Sequence, residues 1–261
     1  MNCITTKNLN ISYGNLDIVK DLNLSIPKGK ITTIIGSNGC GKSTILKTIA
    51  RIIQPKSGDI YINNKNIKNQ SPKDIAKVMA SLPQSPQAPG GLTVEELISY
   101  GRFPHQKGFG KMKKEDRDIV TWALKSTGIQ DFRHRPMDAL SGGQRQRAWI
   151  AMALAQQTEI LLLDEPTTYL DLAHQLEILK LLEELNRKQG TTIVMVIHEL
   201  NNASRFADHM IGVKKGKVIC EGSPYQVMTK ENLKHLFNID AEIVNDPRNQ
   251  KPVCLTYDMV V

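Results

Sequence analysis

Nine consecutive residues, Gly36-Ser37-Asn38-Gly39-Cys40-Gly41-Lys42-Ser43-Thr44, constrain this chain more than any others. They fit the pattern G-x-x-x-x-G-K-[ST], with an apolar segment, 30–35, before them and a helical pattern, 42–51, after them. The glycines let the backbone curl until its N–H groups point inward, toward phosphate oxygens. The helix that follows adds its own free N–H groups and the positive end of its dipole. Lys42 is placed to reach the β- and γ-phosphates of a nucleotide, and the Ser43 hydroxyl to ligate Mg²⁺. A strand, loop and helix in that order require an α/β protein.

The surrounding sequence has the matching alternation. Strands are expected at 4–13 and 19–26, then at 58–62, where Asn63-Asn64 is a turn signal. The middle reads as helical. Ser71-Pro72 opens a short helix, SPKDIAKVM, and Thr93 with Glu96 forms a capping-box pattern before VEELISYG. The Pro- and Gly-dense stretch 81–91 between them is expected to be irregular, 107–114 to be a basic loop, and 115–127 and 144–155 to be helices. Alternation then returns: strand 160–163, helix 170–188, strand 191–197, helix 200–206, strands 210–213 and 218–221, and a polar segment to the end. A helical block, about 75–155, thus interrupts the phosphate-loop core.

Composition excludes some classes of protein and leaves others open. A net charge of +8 fits a polyanionic ligand, an acidic membrane surface or nucleic acid, and does not choose among them. Cys3, Cys40, Cys220 and Cys254 form no CxxC pair and no His cluster joins them, so free thiols in a reducing compartment are expected. Cys40, inside the loop, has two readings: a small residue that simply fits, or a thiol whose alkylation blocks nucleotide binding. The first twenty residues lack the apolar core of a secretory signal. No apolar run approaches the roughly 20 residues of a membrane span, so membrane association is expected only through a partner.

Two further motifs complete the chemistry. Leu161-Leu162-Leu163-Asp164-Glu165 is an apolar strand that delivers carboxylates to its C-terminal edge, where open α/β sheets bind ligands. Asp164 is expected to hold Mg²⁺ through water, and Glu165 to act as general base on the attacking water. Leu140-Ser141-Gly142-Gly143-Gln144-Arg145-Gln146-Arg147 opens a helix with a hydroxyl and bare backbone N–H groups, a second anion cradle. One monomer does not need two γ-phosphate cradles. A head-to-tail dimer does, because each cradle then closes on the nucleotide held by the other subunit.

That second cradle closely resembles the signature of the ATP-binding cassette family, and the resemblance covers nearly the whole chain. It implies a P-loop NTPase core of α/β class, with an N-terminal antiparallel β subdomain and an inserted α-helical subdomain. It also implies one cassette domain over 1–261: core 1–75 and 156–240, helical subdomain 76–155 with the signature, and C-terminal tail 241–261. ATP and Mg²⁺ are the implied cofactors. Residues 36–44 would bind ATP in cis, with Tyr13 matching the aromatic that stacks on adenine. Ser141, Gly142, Gly143, Gln144 and Asp171 would meet it in trans. Gln84 matches the Q-loop glutamine that senses Mg²⁺ and water, which places it with Ser43 and Asp164 around the metal. His198 matches the switch histidine on the γ-phosphate. Lys42, Gln84, Glu165 and His198 form the implied catalytic set.

LPQSPQAPGGLTVEELISYGRFPHQ, DEPTTYLDLAHQLEIL and the C-terminal run from MTKENLKHLF onward resemble the ATPases of ferric-siderophore, haem and vitamin B12 importers. The ferric-siderophore branch is the nearest in wording. The implied partners are a second copy of the chain, transmembrane permease subunits docking beside 83–106 and, indirectly, a substrate-binding protein. Nucleic acid is not expected. The implied location is peripheral, on the cytoplasmic face of the cell membrane. The alternative is a soluble non-transport cassette such as the iron–sulfur cluster assembly ATPase.

Overall fold

Inward-facing residues alternate along β1 (Asn2–Tyr13), which buries Ile4 and Thr6 and then, after a slip at Asn8, Leu9 and Ile11. Asn8 absorbs the slip with a φ of 47°, and the pairing with the neighbouring strand shifts register there. The strand expected over 19–26 is two strands, β2 (Leu16–Leu22) and β3 (Ser25–Pro27). The break has a specific cause. The Thr6 hydroxyl donates to Leu22 O (2.9 Å) and accepts from Leu24 N–H (3.0 Å), replacing ladder bonds at that point. β4 (Ile31–Ile35) is buried at every position and leads through the Gly-rich loop into α1 (Lys42–Ile49). β5 (Ser57–Ile62) and β6 (Lys65–Asn66) form a hairpin whose turn, Asn63-Asn64, has positive φ at both residues (49° and 63°).

The computed structural model describes residues 1–106 and 112–260. They divide into two compact units, one from Met1–Gln70 with the chain from Asn186 onward, the other Ser71–Leu185.

In the Ser71–Leu185 unit, α2 (Pro72–Val78) is capped by Ser71, whose side chain accepts from Asp74 N–H. The helix stops one residue earlier than expected, because Met79 takes extended backbone and opens β7 (Met79–Leu82). Its parallel partner is β8 (Ile160–Asp164), with Met79 opposite Ile160 and Leu82 opposite Leu163. Four residues carry too little periodicity to announce a strand; the pairing partner lies some 80 positions away. Between them run α3 (Val94–Tyr100), closed by the Thr93–Glu96 capping box, α4 (Lys114–Ser126) and α5 (Gly142–Ala155). α5 packs against both α3 and α4. Of the expected basic loop at 107–114, residues 107–111 lie outside the described residues, and Lys114 opens α4. α6 (Leu172–Gln189) ends the unit at Leu185 and continues into the other.

The run Tyr100-Gly101-Arg102-Phe103-Pro104-His105 acts inside this unit as a clamp. A Cβ at Gly101 would lie 2.2 Å from Met152 O, so only glycine lets α3 end against α5. Arg102, 5% exposed, pairs with Asp116 of α4 (2.8 Å) and donates to Ala155 O at the end of α5 (2.7 Å). His105 Nε2 bonds Gln156 O (2.8 Å), and Gln156 in turn donates to Met79 O (3.2 Å).

The first unit resumes with β9 (Thr192–Val196), α7 (Leu200–Phe206), β10 (His209–Lys214) and β11 (Lys217–Gly222). Within it β11, β10, β4 and β9 lie side by side in that order, with β10, β4 and β9 parallel. These parallel strands are buried along nearly their whole length, which explains their predominantly aliphatic composition. The polar C-terminal segment is more ordered than its composition implies. It forms α8 (Pro224–Val227), α9 (Lys230–Phe237) and a hairpin of β12 (Ile239–Asn245) and β13 (Pro252–Met259). The buried positions Leu233, Leu236, Ile239, Ala241 and Cys254 are few but regularly spaced, which suffices for a satellite core.

Candidate active site

In the first unit the loop 36–44 follows the C-terminal edge of β4. Gly36 has φ 149° and a Cβ there would lie 2.1 Å from Val213 O, so the chain can leave the sheet here only as glycine. Gly39 (φ 73°) and Gly41 (φ 105°) complete the curl, and Gly41 caps α1. Gly216 N–H donates to Cys40 O (2.8 Å) and supports the loop from behind. Lys42 is 4% exposed; its ammonium donates to Gly36 O (2.8 Å) and Ser37 O (3.0 Å), bent back across the curl. Such a buried lysine has exchangeable neutral partners and suits an anion. The Cys40 thiol is 5% exposed, so an alkylating reagent reaches it only when the loop opens.

β9 runs parallel to β4 with Val196 opposite Ile34, two residues before His198 and Gly36 respectively. His198 therefore leaves the sheet at the same edge as the loop, and it is exposed. Tyr13, at the end of β1, is half-exposed (50%).

The second unit carries the carboxylates. Asp164 (3% exposed) ends β8 and Glu165 (9%) follows with a left-handed φ of 53°. A non-glycine residue held there costs about 1–3 kcal/mol and aims its side chain away from the strand path. Two donors hold the same oxygen: the Gln84 side-chain amide and the Thr168 hydroxyl (3.0 Å) both donate to Glu165 Oε2. The contact of Gln84 with Glu165 unites two residues expected in the catalytic set. Thr168 was not among the expected residues, although a hydroxyl three positions beyond the carboxylate is a visible signal.

Ser141 caps α5 with a reciprocal box: Gln144 N–H donates to Ser141 Oγ (3.3 Å), and Ser141 N–H to Gln144 Oε1 (3.1 Å). The first turns of α1 and α5 contain no acidic residue, unlike those of α2, α3 and α4. The same holds for α6, α7 and α8, so the missing acid leaves the positive ends of α1 and α5 open to an anion without setting them apart. Asp171 caps α6, accepting His174 N–H on Oδ1 (2.9 Å), and its carboxyl is held below the usual range mainly by that bond. Site residues thus form two groups, one per unit: 36–44 with His198 and Tyr13, and Gln84, Asp164 and Glu165 with Ser141–Gln144 and Asp171.

Comparison with known proteins places the chain in a family. The ABC transporter family model matches residues 19–168. The iron(3+)-hydroxamate import ATP-binding protein FhuC of Bacillus subtilis (strain 168) is 65% identical over 260 residues, covering 100% of this chain and 97% of that protein. A chain of an ABC transporter in an inward-facing conformation superposes with a TM-score of 0.83 at 30% identity, covering 98% of both. The bacterial ABC transporter cassette MJ0796, solved as a dimer, gives 0.75 at 32% identity, covering 84% of this chain and 98% of that one.

Proposed function

The chain belongs to the ABC transporter family, and from that premise we propose that it is the ATP-hydrolysing subunit of an importer for iron(III)-siderophore chelates. The observation that carries this reading is the full-length 65% identity to an iron(3+)-hydroxamate import ATP-binding protein. It favours import over the iron–sulfur assembly alternative, whose discriminating surface would be the Gln84 region. No helix among the described residues is long and apolar enough to cross a membrane. Passage of the chelate therefore belongs to separate permease subunits, with this chain peripheral on the cytoplasmic face.

In the proposed cycle, the N–H groups of 36–44 and Lys42 hold the β- and γ-phosphates and Tyr13 stacks on the base. Ser141–Gln144 and Asp171 of a second copy close on the γ-phosphate. Glu165 takes a proton from water as its oxygen attacks the γ-phosphorus, and the bond to the ADP oxygen breaks. Gln84 and Thr168 fix Glu165 Oε2 and so set the orientation of that base. His198 donates to the γ-phosphate.

Among the described residues no cluster of three or more His, Cys, Asp or Glu can hold a metal. Mg²⁺ needs no such cage, because it is held by a few protein oxygens and completes its shell with water and phosphate. The Ser43 hydroxyl, the Asp164 carboxylate and the Gln84 amide oxygen are hard oxygen donors of that kind. When bound, the ion neutralises phosphate charge.

Copurification from membranes tests the class: two copies of this chain are expected per permease assembly. Uptake of labelled ferric hydroxamate by cells with and without the chain tests the cargo. Recovery with soluble assembly proteins alone, or uptake that does not depend on the chain, contradicts the reading.

A further inference from the structure

The start of α5 and the Asp171 loop are joined within one subunit by His174, a residue to which no role has been given above. His174 stands in the first turn of α6. Its backbone N–H donates to Asp171 Oδ1 (2.9 Å) and its ring Nδ1–H to Oδ2 (2.8 Å). The ring also lies against Gly143: a Cβ at that glycine would come within 2.9 Å of the ring Cδ2 and 3.3 Å of Cγ. Leu170 lies beside the neighbouring glycine. Its Cδ2 would meet a Gly142 Cβ at 4.0 Å, and its carbonyl accepts from the Gln175 amide (3.0 Å).

A helix cap alone does not ask for a ring here. The backbone N–H of any residue at 174 would satisfy one oxygen of Asp171. The imidazole fixes the second oxygen, and its face sets the spacing between Asp171 and the Gly143 backbone. Glycine at 143 thereby has a reason beyond the cradle itself, since any larger residue displaces the ring.

We propose that His174 is a positioning residue for the ATP-driven dimer, holding Asp171 and the first turn of α5 in one arrangement so that both meet the second copy's nucleotide together. This inference rests on the trans roles proposed above for Ser141–Gln144 and Asp171. It reaches the reaction through preorganisation, because groups already fixed lose less freedom on association.

The test uses the full chain in the Glu165→Gln background, which slows turnover and leaves the closed dimer measurable. His174→Ala, His174→Phe and His174→Asn are compared by sedimentation in MgATP and by affinity for a fluorescent ATP analogue at protein concentrations below dimerisation. Phe keeps a ring on Gly143 but cannot donate; Asn can donate to Asp171 Oδ2. The Ala and Phe variants are expected to need about tenfold more protein for half-dimerisation, the scale of a lost hydrogen bond to a charged group. Their nucleotide affinity is expected to match the parent. Asn, which restores the bond to Asp171 Oδ2 but not the ring face on Gly143, is expected to fall between the parent and the Ala variant. Ala and Phe variants that dimerise like the parent overturn the proposal, as does a loss of nucleotide affinity equal to the loss of dimerisation. A parent Glu165→Gln chain that stays monomeric in saturating MgATP removes the trans assignment itself, and this inference with it.

Discussion

Gly36 meets the hardest geometric demand of any residue in the phosphate loop. On the side where a Cβ would project, its neighbours are Val213 O at 2.1 Å and the Cys40 sulfur at 2.8 Å. The first belongs to the backbone of a paired strand and the second to a buried thiol, so neither yields without moving the loop. Gly36→Ala is expected to cost about 2–3 kcal/mol and to lower ATP affinity more than tenfold. Gly39 differs, because a Cβ there meets nothing within 4 Å and only its φ of 73° resists substitution. Gly39→Ala is expected to cost about 1 kcal/mol. Urea denaturation and nucleotide titration of the pair read both effects, and equal losses would show that crowding at Gly36 is not what matters. Glu165→Gln belongs to the same scale. Gln retains the shape and removes the base, so turnover is expected to fall at least a hundredfold, while MgATP binding persists and sedimentation shows the closed dimer. A variant that turns over at the parental rate contradicts the assignment of the base.

Among the elements, the α3–α4–α5 cluster depends on one buried ion pair. Arg102 and Asp116 have side chains only 6% and 11% exposed, and Arg102 also serves the Ala155 carbonyl. Arg102→Met keeps most of the packing volume but leaves Asp116 buried without its cation. The expected loss is about 3–5 kcal/mol, and adding Asp116→Asn or Asp116→Leu is expected to restore part of it. Denaturant midpoints of the single and double variants measure this, and a neutral single variant would contradict it. The sequence wording around Arg102 was legible as a branch hallmark, yet its physical content, a three-helix clamp, was not. Elements with local signals were readable: α2 and α3 announce their caps at Ser71 and Thr93, and β8 and β9 their burial in apolar runs. β7 was hidden because its identity lies in the pairing of Met79–Leu82 with a strand far along the chain. The break between β2 and β3 was hidden for a related reason, since a Thr6 side chain makes it.

For the molecule as a whole, the part of the candidate site legible in the sequence was the part carried by motifs at fixed spacing: 36–44, Asp164-Glu165 and Ser141–Gln144. Thr168 and His174 escaped notice because their roles depend on where a turn returns the chain, and the C-terminal hairpin because its satellite core needs few apolar residues. Buried polar atoms are equally invisible in a sequence, and one of them makes stability depend on pH. His209 opens β10 opposite Thr32 of β4, and neither His209 Nε2 nor Thr32 Oγ1 has a hydrogen-bond partner among the described residues. Burial pushes the His209 pKa below its ordinary 6.5, and the nearby Glu221 carboxylate only partly opposes this. The unfolded chain therefore takes up this proton first as the solution is acidified. Stability from His209 is complete above about pH 6.5 and is lost as pH falls from there toward the lowered folded value. The carboxyls of Asp17, Asp59, Glu95, Glu96 and Asp171 are all held below their ordinary values, so their contribution is lost only in more acidic solution, below about pH 4. The two windows are separate. His209→Gln is expected to flatten the fall in melting temperature between about pH 7 and pH 5 while leaving the acid limb near pH 3 unchanged. Parallel melting curves for parent and variant across the upper window would show that His209 is solvated in the folded chain.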